Sequence, residues 1–303
     1  MIYTLFAFCE KKIYNDNGDN MIENMNKMLK KAYEGKYAVP HFNINNLEWT
    51  RYILEECEEM HSPVIIGVSE GAIKYMGGYQ VVASLVRNLC NGLKITVPVA
   101  IHLDHGSSVE SCNEALKAGF TSVMIDASKY EVAENINITK QVVKLAKKYK
   151  ASVEAEMGHV GGQEDNMSAD LMYAKVEDCK QMVDNVKLDA FAPALGSVHG
   201  LYKGEPNLDF DRMKQISDMT KMPLVLHGGT GIPDDKIKRA IECGTCKINV
   251  NTELQIAWRN GMVEFLNNNQ KAYDPRKVIG GGETSMKTAI KNKILLFGSE
   301  NKA

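Results

Sequence analysis

Cysteine is sparse and irregular, seven in 303 residues, an odd count without a framework spacing. That excludes a disulfide scaffold, and with no secretory signal ahead of them the thiols suit a reducing cytoplasm. An excess of charge of one sign is also lacking. Lys and Arg number 36 against 38 Asp and Glu, a formal net charge of -2, so the chain carries no electrostatic footprint for a phosphate backbone or an anionic membrane. Neither nucleic acid nor a membrane is expected as a partner. The opening M-I-Y-T-L-F-A-F-C-E-K-K has its lysines after its apolar run instead of before it, and the run is too short to span a bilayer. No Pro- or Ser-rich linker divides the chain, and no G-x-G-x-x-G follows its first apolar run.

What is present is ordinary globular composition, 44% hydrophobic and 24% charged. At this length roughly 75% of the unfolded chain's surface can be buried, so the core needs no covalent staple. Regular patterning begins only after Met21, so residues 1–20 read as a poorly ordered N-terminal extension and 21–303 as one domain. From Tyr37 onward eight short apolar runs alternate with segments of helical period: Tyr37–Phe42, Pro63–Val68, Val97–Leu103, Ser122–Ile125, Ser152–Glu156, Asp189–Ala194, Pro223–Leu226 and Lys247–Val250. Unbroken alternation implies a parallel sheet, and eight units imply an α/β fold of the closed (β/α)8 TIM-barrel type. A C-terminal helical extension is expected around Asp274–Gly298.

Barrel enzymes build their sites just past the strand ends. Those positions read Asn43, Ser69-Glu70-Gly71, Asp104-His105-Gly106, Asp126-Ala127-Ser128, Glu156-Met157-Gly158, Gly196-Ser197-Val198-His199-Gly200, His227-Gly228-Gly229-Thr230-Gly231 and Asn249-Val250-Asn251-Thr252. Three of the seven histidines, His105, His199 and His227, fall on this rim, each beside glycine. Three imidazoles converging from different strands suit a catalytic zinc with one open position. Asp104, Asp126 and Glu156 are candidates for proton transfer, for a second cation, or for orienting the histidines. Asp104 and His105 are adjacent, so both reach the site only if the strand ends and curls there. The glycine-rich loops after the last two strands suit a phosphate group. The polar, glycine-hinged Gly161–Asp165 has the composition of a lid that could carry Glu164 in as a base. Cys243 and Cys246 have redox spacing without the expected context and read as ordinary thiols.

From Met21 to about Gly298 the chain resembles class II fructose-1,6-bisphosphate aldolase, in I-H-L-D-H-G-S-S, S-V-E-A-E-M-G-H-V-G-G-Q-E-D, A-L-G-S-V-H-G, P-L-V-L-H-G-G-T-G-I-P and K-I-N-V-N-T-E. The resemblance implies zinc on His105, His199 and His227 and a second divalent cation at Asp126 and Glu156, with a monovalent cation as a further candidate. It implies Asp104 as proton donor and Glu164 as the mobile-loop base. Ser69 would lie near the aldehyde phosphate, and Gly200, Gly228, Gly229, Thr230, Asn249, Val250, Asn251 and Thr252 around dihydroxyacetone phosphate. Arg276, in Y-D-P-R-K, is similar to an arginine that reaches the far phosphate across a subunit interface, so a homodimer or higher homo-oligomer is expected.

Two departures stand out. Lys129-Tyr130 follows M-I-D-A-S where relatives carry H-H-P-F or similar, and Met157-Gly158-His159 replaces a more usual Leu-Gly-Thr. Neither removes a metal ligand or the donor. The expected activity is reversible cleavage of a ketose bisphosphate, most simply fructose 1,6-bisphosphate, into dihydroxyacetone phosphate and glyceraldehyde 3-phosphate. A tagatose-bisphosphate or other phosphosugar aldolase is the nearest alternative, and a non-catalytic sugar-phosphate-binding paralogue the remote one. A Schiff-base route needs a lysine deep in the barrel, and Lys247 is expected at the wrong end, where the eighth strand begins.

Overall fold

The computed structural model describes residues 21–164, 167–169, 172–202 and 204–303, so the extension expected over 1–20 lies outside the described residues. The first half runs α1 (Asn26–Gly35), β1 (Val39–Asn43), α2 (Leu47–Glu59), β2 (Val64–Ser69), α3 (Glu70–Met76), α4 (Tyr79–Leu93), β3 (Val99–Gly106), α5 (Val109–Ala118), β4 (Ser122–Ile125) and α6 (Val132–Tyr149). Then follow β5 (Ser152–Met157), β6 (Gly161–Glu164), β7 (Met167–Ala169), α7 (Val176–Asn185), β8 (Ala190–Pro193), β9 (Val198–His199), α8 (Phe210–Thr220), β10 (Leu224–Leu226), α9 (Asp234–Glu242) and β11 (Thr245–Val250). The chain ends with α10 (Thr252–Asn268), α11 (Pro275–Gly280) and α12 (Glu283–Phe297).

Eight strands close into a barrel in the order β1-β11-β10-β8-β5-β4-β3-β2, with every neighbouring pair parallel. These are the eight apolar runs, buried on both faces as a parallel sheet wrapped by helices must be. One boundary needs correction. The last barrel strand begins at Thr245, not Lys247, so Lys247 sits inside the strand, fully buried.

Two apolar layers hold the barrel. Outside it, one large cluster joins the strands to the helices. Helix starts are fixed by side-chain caps such as Asn46 on the Trp49 amide and the Ser108/Ser111 capping box, which satisfy donors left over at a helix start. Inside, α1 lays Met28, Leu29 and Ala32 against Val39, Ile65, Ala100, Ala190, Val225 and Cys246. All six strand residues stand at the first or second position of their strands, so α1 plugs the amino-terminal mouth. With that end closed by α1, the polar strand ends stand at the opposite, carboxyl-terminal rim. The expected extension is seen in α11 and α12, and α12 returns to the barrel through buried Met286, Ile290, Ile294 and Phe297.

The remaining strands form a small sheet in the order β7-β6-β9. The segment read as a lid is thus a hairpin, Glu164 opposite Met167, with Gly162 also paired to His199. Gly162 has φ +97°, and a Cβ there would lie 2.3 Å from the His199 carbonyl oxygen. Only glycine allows the hairpin to sit so close to that histidine.

Candidate active site

Side chains alternate across a strand, so residues two apart enter the barrel together. Four strands use this to send paired polar groups inward: His41 and Asn43, His102 and Asp104, Glu154 and Glu156, Lys247 and Asn249, all eight buried. The first of each pair builds a floor, and the second reaches the rim.

His105 breaks the alternation. Its φ is +49°, and the register of β3 against β4 shifts between Leu103 and Gly106. A left-handed non-glycine residue costs about 1–2 kcal/mol. In return His105 turns to the same side as Asp104, which is the curl the adjacent pair required. Gly106 follows because a Cβ there would meet the Met124 carbonyl oxygen at 2.6 Å.

The imidazoles of His105, His199 and His227 come together, with ring centroids 4.6 to 5.8 Å apart and one ring nitrogen of each within 4.8 Å of the others. His199 arrives on β9, and His227 directly follows β10. Their partners assign the tautomers. His105 Nδ1 donates to Asp126 Oδ2 at 3.0 Å. His227 Nε2 donates to Glu154 Oε1 at 2.9 Å, and its Nδ1 accepts from Asn249 Nδ2 at 3.1 Å. The Asn249 amide cannot be turned over, because its nitrogen also lies 3.3 Å from Asp104 Oδ1. Burial pushes His227 down to about 4 and His199 well below the ordinary imidazole range, so both are neutral near pH 7. His105 Nε2 and His227 Nδ1 lie 3.0 Å apart. Three imidazoles gathered this closely fit a shared cation, and the nitrogen donor set suits zinc.

A second group, His105, Asp126 and Glu156, adjoins the first. Burial opposes ionisation of Asp126, but His105 and then Ser128 outweigh it and hold the carboxyl low. Glu156 behaves oppositely: burial, then the Asp126 charge, pushes it up to about 8. Its Oε2 is buried with no hydrogen-bond partner. A partnerless carboxylate oxygen beside a carboxylate fits a divalent cation. The third compact group, His41, His102 and Asp104, lies beside the Lys247 charge, which disfavours another cation there.

Asp104 accepts from Asn43 Nδ2 at 2.8 Å and lies 3.4 Å from His41 Nε2. Burial opposes its ionisation, yet His41, His105 and His227 hold its pKa well below the carboxylate range.

The expected substrate contacts fare differently. Ser69 stands opposite Asp104 in the β2–β3 register, and its hydroxyl caps α3. Gly228 packs tightly, since a Cβ would lie 2.1 Å from the Val198 carbonyl oxygen. The Gly229 amide is committed to Asn249 O at 2.9 Å, and Thr230 Oγ1 accepts from Glu253 N at 3.2 Å. Val250 is buried in β11, while Asn251 and Thr252 open α10 at the rim. Gly200 directly follows His199 with φ +83°. Glu164 ends β6 next to Asp165, which is outside the described residues. Arg276 is on the surface, 88% exposed and paired with Asp274. Lys129 and Tyr130 are exposed and stacked on each other at 5.2 Å.

Sequence reading missed the floor. Glu154 and Lys247 were open to it through S-V-E-A-E-M and K-I-N, where charged or amide residues alternate in step with rim residues.

A closed parallel barrel that gathers imidazoles, carboxylates and glycine loops at the carboxyl ends of its strands is the architecture of a (β/α)8-barrel enzyme. The sequence model for class-II fructose-bisphosphate aldolase matches residues 23–302, and the chain belongs to that family. It is 56% identical over 281 residues to a fructose-bisphosphate aldolase of Geobacillus stearothermophilus, covering 92% of this chain and 98% of that one. A Staphylococcus aureus protein of the same name is 54% identical over the same shares. Among solved structures, the YdjI aldolase of Escherichia coli K12 superposes with TM-score 0.81 at 33% identity, covering 93% of this chain and all (100%) of that one. No helix among the described residues is long and apolar enough to cross a membrane.

Proposed function

We propose that the chain reversibly cleaves fructose 1,6-bisphosphate into dihydroxyacetone phosphate and glyceraldehyde 3-phosphate, in the cytoplasm, as a metal-dependent carbon–carbon lyase. The observation that carries the reading is a held carboxylate, Asp104, on the same rim as the clustered imidazoles of His105, His199 and His227. His105, His199 and His227 would hold zinc, and Asp126 and Glu156 a second divalent cation. Bound there, zinc supplies Lewis-acid polarisation of the substrate ketone.

The chain's own residues do the rest. Asp104 takes the C4 hydroxyl proton in cleavage and returns it to the aldehyde oxygen in condensation. Asn43 and Asn249 orient its two oxygens for that transfer. Glu164, on the hairpin paired to the His199 strand, exchanges the proton at the dihydroxyacetone phosphate carbon. Ser69 and the start of α10 serve the two phosphates, the latter through amides at a helix N-terminus. Arg276 faces outward and would complete a neighbouring subunit's site in a homo-oligomer. Lys247 is inside the barrel, but Glu154 binds it beneath His227, so a Schiff base is not its role.

A coupled cleavage assay with the fructose and tagatose bisphosphates tests the reading. Preference for fructose, loss on chelation and recovery with zinc or cobalt are expected. Activity surviving exhaustive chelation, with borohydride trapping substrate on lysine, contradicts it.

A further inference from the structure

The floor of the barrel holds a fully buried ion pair that no step above uses. Lys247 Nζ donates to Glu154 Oε2 at 2.8 Å, and both side chains are 0% exposed. The other oxygen of the same carboxylate, Oε1, accepts from His227 Nε2 at 2.9 Å. His102 Nε2 also faces this carboxylate, at 3.7 Å, beyond hydrogen-bonding distance. Its other nitrogen is engaged by Ser122 Oγ at 2.8 Å.

We infer that Glu154, oriented by Lys247, is a positioning residue that fixes the tautomer and ring direction of His227 so that Nδ1 is presented to the metal. An ionised carboxylate has only acceptors, so the nitrogen facing it must carry the proton. The proton is thereby confined to Nε2 and Nδ1 is left with a lone pair. Asn249 reports the same state from the other side, since its amide donates to that Nδ1 at 3.1 Å, in the place a bound metal would take over. His105 is arranged alike, with Asp126 accepting from its Nδ1. The two histidines differ in how their carboxylates are held. Asp126 is fixed by neighbouring Ser128 at the rim, whereas Glu154 is fixed by a lysine from the far side of the barrel, on β11. Without Lys247 the buried carboxylate would lose the ammonium that faces and aims it.

The inference rests on His227 being a zinc ligand, and the test separates the two. Nitrogen-15 shifts of His227 in metal-free wild-type protein should show Nε2 protonated and Nδ1 bare. Nδ1 protonation there overturns the inference whatever zinc does. In the double variant Lys247→Met/Glu154→Gln the amide can accept or donate, so both tautomers should appear. Its zinc affinity, measured by chelator competition, should fall about 10- to 100-fold, the usual effect of losing a ligand's hydrogen-bond partner. Glu154→Asp, which keeps the acceptors and the charge, should retain the Nε2–H tautomer and lose less affinity. Zinc affinity within twofold of wild type in the double variant overturns the positioning role. If instead His227→Ala leaves zinc binding intact, the metal assignment itself fails, while the tautomer measurement still decides what Glu154 does.

Discussion

Glu154 and Glu156 lie two residues apart on one strand, enter the same barrel and are buried alike, yet they are held in opposite states. Glu154 meets a lysine and an imidazole N–H and is kept ionised. Glu156 meets Asp126, and burial, then that charge, pushes it up to about 8. The floor therefore carries its own counter-charge, and the rim does not. A buried charge without a partner is strongly destabilising. On the proposed function the balance of the rim is completed by cations, and this is what separates a site from a core.

The largest effect expected from disturbing the rim is on turnover. Asp104→Asn should lower kcat by about 10²- to 10⁴-fold, the scale of a lost general acid–base group, with zinc content unchanged. Turnover within a few-fold of wild type would assign the proton transfer elsewhere. The floor should respond in stability instead. Lys247→Met leaves the Glu154 carboxylate buried without its ammonium and should cost about 3–5 kcal/mol in denaturant unfolding. Adding Glu154→Gln should recover most of that loss, and a double variant no more stable than the single would show that the pair is not self-compensating.

A smaller, pH-dependent effect separates the two glutamates directly. In metal-free protein Glu156 holds its proton up to about pH 8, against an ordinary 4.5. The folded state then binds more protons than the unfolded one, so this group's stabilising contribution is complete below 4.5 and is lost as pH rises through about 8. Binding the second cation must displace that proton, so its affinity should weaken about tenfold per pH unit below that pKa. Glu156→Gln should abolish the slope along with most of the affinity. A slope that persists in the variant would place the titrating group elsewhere. The smallest effect is reserved for the exposed Lys129-Tyr130 pair. Its replacement by two histidines should leave zinc binding unchanged and alter turnover by less than about tenfold, equivalent to about 1.4 kcal/mol. An inert wild type revived by this change would contradict the enzymatic reading.

Much of this architecture could be read without coordinates, for identifiable reasons. Buried parallel strands are short continuous apolar runs bounded by helical period, so all eight stood out. Rim residues follow those runs immediately, which is why His105, His199 and His227 could be grouped although 94 residues separate the first two. Three things were hidden. The α1 plug precedes the first strand and so lies outside the alternation that marks the others. The left-handed turn at His105 has no glycine or asparagine to announce it. The floor was obscured because a lysine at the start of an apolar run looks like a boundary, and only the distance to Glu154, across the barrel, shows it to be interior.

The most direct test of an uncompensated rim above a compensated floor is a zinc titration of metal-free protein near pH 7.5, followed calorimetrically in buffers of different protonation enthalpy and repeated with His105→Ala, His199→Ala and His227→Ala. Tight binding that is lost in each histidine variant, while Lys247→Met/Glu154→Gln only weakens it, is the predicted result. Tight binding indifferent to the three histidines, or no tight binding by a folded wild type, would contradict the account.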